Sequence, residues 1–276
     1  TKFQIRQSMI DISINDRVCF IEMRNSQKLN CLSDALCHEI RAAIKEAYEK
    51  ECCAIVLKAQ CRNGVWSAGH DIHELPLDGT DPLAFDVPME RLFHDIQDIP
   101  IPVIAYVDGT VWGGACDLCL SCDMIVASDN ATFAITPAKI GIPYNASGIM
   151  HFISQLGPNK AREMFFTAQP LTAQEALNVG MVNHVASQEE LPKLLEEKLL
   201  NPLRHNSIIA ISAIKNQFRL LNSFSVSLPT EAFELLHGWR TKVYSGPDYK
   251  EGIKSFLEKR TPNYVSKSKD LESSSD

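Results

Sequence analysis

Hydrophobic and polar residues alternate through MIDISINDRVCFIEMRN (9–25), and the alternation breaks at Asn15-Asp16. That pattern predicts a β-hairpin. After Ser33 the period changes. Leu36, Ile40, Ala43, Ile44 and Ala47 form a helical stripe, with Ser33 as its N-cap. The continuous apolar run CCAIVLKA (52–59) reads as a buried strand. A helix around Met89–Ile99 is stopped by Pro100 and Pro102. VIAYVDG (103–109) reads as a strand, WGGACDLCLSC (112–122) as a helix start, and DMIVAS (123–128) as another strand. The rhythm of strand, loop and helix predicts an α/β protein with a mostly parallel sheet. Beyond GMVNHVAS (180–187) only helical patterns follow, around Glu189–Leu200, Ile208–Leu221, Thr230–Val243 and Tyr249–Leu257, the last two separated at Gly246-Pro247. The expected organisation is a core over residues 1–200, a helical region over 201–265 and a polar tail over 266–276 that frays.

Composition narrows the function. The chain has 276 residues, 45% apolar and 22% charged, with a net charge of −7. That length supports a sizeable core. The acidic balance argues against nucleic-acid binding by bulk charge, though a phosphorylated ligand needs only a few cations. No apolar run nears the ~20 residues of a membrane span. Nine cysteines scattered through apolar segments suggest a reduced, intracellular protein. Cys116, Cys119 and Cys122 have iron–sulfur-like spacing but lack a following cysteine and proline, so they read as one face of a buried helix. The first residues resemble neither a signal peptide nor an arginine-rich transit peptide, and the last three are not Ser-Lys-Leu. The expected compartment is cytoplasmic, with the mitochondrial matrix open if a leader has been removed.

Candidate chemistry begins at VWSAGHDIHELP (65–76). Its His70, Asp71, His73 and Glu74 do not have the H-E-x-x-H spacing of a zinc site, and exposed polar residues opening a helix explain them better. The backbone is more informative. Ser67-Ala68-Gly69 are small and precede a helix start, where unpaired N–H groups are exposed. Gly109-Thr110-Val111-Trp112-Gly113-Gly114 repeats that arrangement before a second helix. Two such junctions side by side in a parallel sheet aim two N–H donors at one oxygen, the layout of an oxyanion hole.

With these segments WSAGHDIHEL, GTVWGGACDL, KIGIPYNASG and FLEKRTPNY, the chain resembles the crotonase (enoyl-CoA hydratase/isomerase) superfamily from NSQKLNCLSDAL to Tyr264. The resemblance implies a spiral of ββα turns with a C-terminal helical part that builds homotrimers or dimers of trimers. It implies an acyl-CoA substrate, no separate cofactor and no metal. The backbone amides of His70 and Gly114 fall on the oxyanion hole. Lys28, Leu29, Ala68, Asp71, Ile72, His73, Glu74 and Gly113 fall on the segments bordering the substrate and its CoA, Ile72 near the adenine. Lys259 falls on the lysine that reaches a CoA phosphate. Thr136, Pro137, Ile142 and Tyr144 fall on the acyl pocket.

The sequence departs from the hydratase pattern at both acids. Asp117 stands where the first glutamate is expected, and Pro137 where the second is. Asp117 reads equally as a shortened base or a helix-start carboxylate. SAGHDIHELP, VWGGA and Thr136-Pro137-x-x-IGIPYN resemble the members that decarboxylate methylmalonyl-CoA. That reaction needs no base to start, because breaking the C–C bond sends the electrons into the thioester carbonyl. Thr136 is then a hydrogen-bond partner for the departing carboxylate, or a turn cap. Tyr144 orients the substrate, delivers a proton, or only walls the pocket. Isomerisation or hydration through Asp117 is the alternative, and a CoA-binding protein without chemistry is a second.

Overall fold

A computed structural model of the chain describes residues 8–84, 87–225 and 230–266. Apart from Ser266, the terminal segment expected to fray lies outside them. The hairpin is present: β1 (Ile10–Asn15) and β2 (Val18–Met23) pair antiparallel in register Asn15↔Val18. Asp16 and Arg17 both have positive φ, 45° and 62°, as a two-residue hairpin turn matched to strand twist requires. Helix α1 (Asp34–Glu49) buries the stripe expected for it, plus Cys37, and Ser33 Oγ accepts from Leu36 N at 3.3 Å. β3 (Ala54–Ala59) then runs parallel to β2.

The larger difference from the sequence expectation follows β3. Residues read as loop between strand and helix contain a second strand, β4 (Val65–Ser67), before α2 (Pro88–Asp98). The same happens twice more. β5 (Val103–Val107) is followed by β6 (Thr110–Trp112) and α3 (Gly114–Ser121). β7 (Met124–Ser128) is followed by β8 (Thr132–Ala134) and α4 (Ala146–Thr167), whose run breaks at Gly157 (φ 73°) before Pro158. β9 (Leu171–Thr172), α5 (Ala173–Asn178) and β10 (His184–Ala186) complete the set. Two sheets result: a six-stranded one in the order β1-β2-β3-β5-β7-β10, parallel apart from β1, and a four-stranded one in the order β4-β6-β8-β9. Each repeat therefore gives one strand to each sheet and one helix, the ββα unit implied by the resemblance. Three-residue strands carry too little alternation to be read from sequence.

Helices α6 (Leu191–Leu195) and α7 (Asn201–His205), joined by a π-helical turn, pack Leu191, Leu195 and Leu199 against Val56, Ile104 and Val126 on the outer face of the large sheet. α8 (Ile208–Ser225), α9 (Thr230–Ser245) and α10 (Pro247–Leu257) follow. α8 leaves Ile209, Phe218 and Leu221 at least 64% exposed. Its inner face is held by Lys215, 8% exposed, whose Nζ donates to Ile96 O and Ile101 O at 3.0 Å and pairs with Asp123 Oδ2 at 2.7 Å. Lys215→Met keeps the aliphatic stem but leaves the buried carbonyls of Ile96 and Ile101 without their donor, while Asp123 keeps its bond from Val103 N. It is expected to lower unfolding free energy by about 2 kcal/mol, read as a lower urea midpoint at unchanged slope.

Candidate active site

The two glycine-rich junctions meet. β4 and β6 are parallel neighbours, so the segments leaving their C-terminal ends run side by side. Gly69 has φ 82°, and a Cβ there would collide with Trp112 O and lie 3.1 Å from Gly114 N. Only glycine lets the two backbones approach this closely. Leu32 N donates to Gly69 O at 2.7 Å and Asp71 N to Leu32 O at 3.5 Å. In a parallel bridge that pattern turns the N–H of the intervening residue, His70, to the opposite side. Gly114 is the first residue of α3, so its N–H has no partner within the helix. A Cβ on Gly114 would sit 3.7 Å from His70 N and 3.0 Å from Met89 Sδ. The amides of His70 and Gly114 thus flank one spot, with Met89 beside it. Burial depresses the His70 imidazole, which keeps it neutral near neutral pH.

Both amides open onto a cavity of about 470 Å³. Of the residues singled out in the sequence, Leu29, Ala68, His70, Ile72, Gly113 and Gly114 line it on the side of the two junctions. Thr136, Pro137, Ile142 and Tyr144 line it on the side of the Pro137–Ile140 turn. Thr136 precedes that turn without a side-chain capping bond. The remaining six do not reach the cavity wall. Lys28 Nζ lies 3.8 Å from Asp71 Oδ2, and Asp71 Oδ1 caps the short Ile72–Glu74 turn through His73 N at 3.1 Å. That single 3-10 turn replaces the helix expected there, because Pro76 follows two residues later. His73 and Glu74 are exposed, and Glu74 Oε2 accepts from Asp34 N at 2.9 Å, capping α1. Lys259 is exposed, with φ 54°, while its neighbour Arg260 does line the cavity, as does Lys139.

Asp117, the sixth, lies behind the wall. It is 1% exposed, and both oxygens are engaged: Oδ2 accepts from Tyr144 Oη at 3.0 Å, and Oδ1 from His151 Nδ1 at 2.6 Å. Gly148 makes room for this arrangement, since a Cβ there would lie 2.6 Å from Asp117 Oδ2. Glu90 is buried nearby. Asn145 Nδ2 donates to Glu90 Oε1 at 2.7 Å and to Leu83 O at 3.3 Å, while Asn145 Oδ1 accepts from Gly148 N at 2.9 Å. Burial, then the charge of Asp117, pushes the Glu90 carboxyl up to about 7. Burial, Asp117 and Glu90 together hold Tyr144 well above the ordinary phenol range. Met89, Glu90, Gly148, His151, Lys139 and Arg260 escape a reading of the sequence. Asn145 does carry a signal, as an Asn opening the helix after IGIPY.

Other clusters are structural. The Cys116, Cys119 and Cys122 side chains are buried, and Cys116 Sγ donates to Val111 O and Ala134 O at 3.4 and 3.3 Å. Among the described residues no three His, Cys, Asp or Glu side chains group as a metal site, and no helix is long and apolar enough to cross a membrane.

Comparison with known proteins agrees with this geometry. The enoyl-CoA hydratase/isomerase family model matches residues 13–267. The chain is 40% identical to methylmalonyl-CoA decarboxylase of Escherichia coli K12 over 254 residues, 92% of this chain and 96% of that protein. It is 31% identical to a probable mitochondrial enoyl-CoA hydratase of Dictyostelium discoideum, over 91% and 88% of the two chains. A solved structure of methylmalonyl-CoA decarboxylase in complex with 2-nitronate-propionyl-CoA superimposes with TM-score 0.91 at 38% identity, covering 94% of this chain and 99% of that one. With converging junctions, paired sheets and a match over nearly its whole length, the chain belongs to the enoyl-CoA hydratase/isomerase family.

Proposed function

We propose that this protein is a carboxy-lyase that removes CO2 from methylmalonyl-CoA, or a close malonyl-type homologue, and releases propionyl-CoA. The observation that carries the reading is the pair of amides, His70 and Gly114, facing one spot in a mostly apolar cavity. The thioester oxygen sits between them. When the bond to the carboxylate breaks, its electrons move into the thioester, CO2 leaves and an enolate remains, which takes one proton from water at its α-carbon to become propionyl-CoA. Each well-aimed donor contributes about 3 kcal/mol to that transition state. Thr136 hydrogen-bonds the carboxylate, and the Tyr144 ring orients the substrate, so that the carboxylate is held across the thioester plane. Pro137 and Ile142 keep the surroundings uncharged, which favours loss of the carboxylate charge. The raised Tyr144 hydroxyl is a reluctant acid, which favours orientation over proton delivery.

Lys28, Leu29, Ala68, Gly113 and the Asp71–Glu74 segment border the CoA, with Ile72 at the adenine and Lys259 at a phosphate. Hydration through Asp117 is disfavoured, because its two oxygens are already occupied away from the cavity. Residues 1–200 form the catalytic core. Residues 201–265 assemble a homotrimer or a dimer of trimers, a reading supported by the exposed apolar side chains of α8. The protein works inside the cell and takes no cofactor beyond the CoA of its substrate. In a panel assay read by mass spectrometry, methylmalonyl-CoA should lose CO2 without added metal or biotin, and crotonyl-CoA should gain water slowly or not at all. Fast hydration without CO2 release would overturn the proposal.

A further inference from the structure

A malonyl-type thioester brings a carboxylate to the acyl end of the cavity, where the wall residue Tyr144 is backed by Asp117. Two like charges in a site of low polarity repel strongly. Among the described residues two cations line the cavity, Arg260, bonded to Glu251 and Glu258, and Lys139, an exposed side chain on the turn packed on α10, and neither pairs with Asp117. The acid behind the wall has its own partner instead. His151, on α4, donates Nδ1–H to Asp117 Oδ1 at 2.6 Å, and its side chain is 25% exposed, so it exchanges protons with solvent.

We propose that His151 is a positioning residue for the decarboxylation described above: as an imidazolium it offsets Asp117 behind Tyr144, so that the acyl end admits a substrate carrying its own carboxylate. Gln97 on α2 lies 2.9 Å from the far ring nitrogen. Its amide serves both states, donating to a neutral ring or, turned over, accepting from a charged one. The charged groups acting on His151 are Asp117 from α3 and Glu90 from α2. Burial works against the imidazolium, but the hydrogen bond and charge of Asp117, with the charge of Glu90, outweigh it and raise the pKa. The balancing charge is therefore present at low pH and lost as pH rises through that value. Glu90 ionises near 7 and works in the same direction.

The inference rests on the decarboxylase reading, and its test separates the two. KM for methylmalonyl-CoA and the inhibition constant of propionyl-CoA, which shares the CoA but lacks the carboxylate, are measured between about pH 6 and pH 8. In the wild type KM should rise with pH while the propionyl-CoA constant stays level. His151→Gln should raise KM already at about pH 6, on the order of tenfold, and leave the propionyl-CoA constant unchanged. The pH dependence remaining in that variant is Glu90's. The double variant Asp117→Asn/His151→Gln, with neither charge, should recover most of the KM. If KM and the inhibition constant move together, or KM does not move, the charge-balancing role is overturned. Should His151→Gln fail to fold, parallel pH profiles for the two ligands in the wild type overturn it equally. Absence of CO2 from the wild type sinks the decarboxylase reading instead.

Discussion

Gly114→Pro should lower kcat about 10²- to 10³-fold, the usual loss when one oxyanion donor is removed. Proline is tolerated at the first position of a helix, where its missing N–H has no helical partner to lose, so α3 should still form. The Cβ of the ring meets the flexible end of Met89 at 3.0 Å and lies 3.7 Å from His70 N. Gly114→Ala is the control: it keeps the N–H, requires Met89 to shift by a few tenths of an ångström, and should retain far more activity. Circular dichroism separates a lost donor from a lost fold. A folded Gly114→Pro enzyme with wild-type kcat would remove this amide from the site.

Gly69→Ala is expected to be the most damaging single-carbon change on the other junction. The backbone there has φ 82°, and the added carbon is driven into the carbonyl of Trp112, a backbone atom that cannot rotate away. Left-handed backbone and overpacking together should destabilise the fold by about 3 kcal/mol. Relief requires β4 and β6 to separate, which also pulls His70 N from Gly114 N. Stability and kcat should therefore fall together. A variant of normal urea midpoint and normal kcat would mean that the two strands do not need this closeness.

The reach of the sequence follows from these contacts. The hairpin and α1 were legible because each is long enough to show its period, with Ser33 marking its helix by a cap, and β3, β5 and β7 because each lies in a continuous apolar run. The small sheet was not, since β4, β6 and β8 have three residues each. The glycine junctions were visible as composition, but that they meet depends on β4 and β6 being neighbours. Thr136 and Tyr144 could be placed on the pocket only through a family likeness. His151 lies 34 residues from Asp117 on a helix that the alternation does not signal, and Glu90 reads as one more exposed acid on an amphipathic helix. The placement of these two is a property of packing between α2, α3 and α4, which no local pattern encodes.

The far wall of the cavity is built from α10 and the residues just after it. Gly252 of α10 packs directly on Ile140 O, Gly141 lies against the backbone of Asp248, Tyr249 Oη donates to Pro76 O at 2.8 Å, and Tyr264 Oη to Lys139 O at 2.6 Å. A ribosome-bound chain has made both oxyanion segments long before it has made this helix. The nascent protein can thus fold its sheets early yet remain unable to enclose a thioester, and competence arrives only when α10 leaves the exit tunnel.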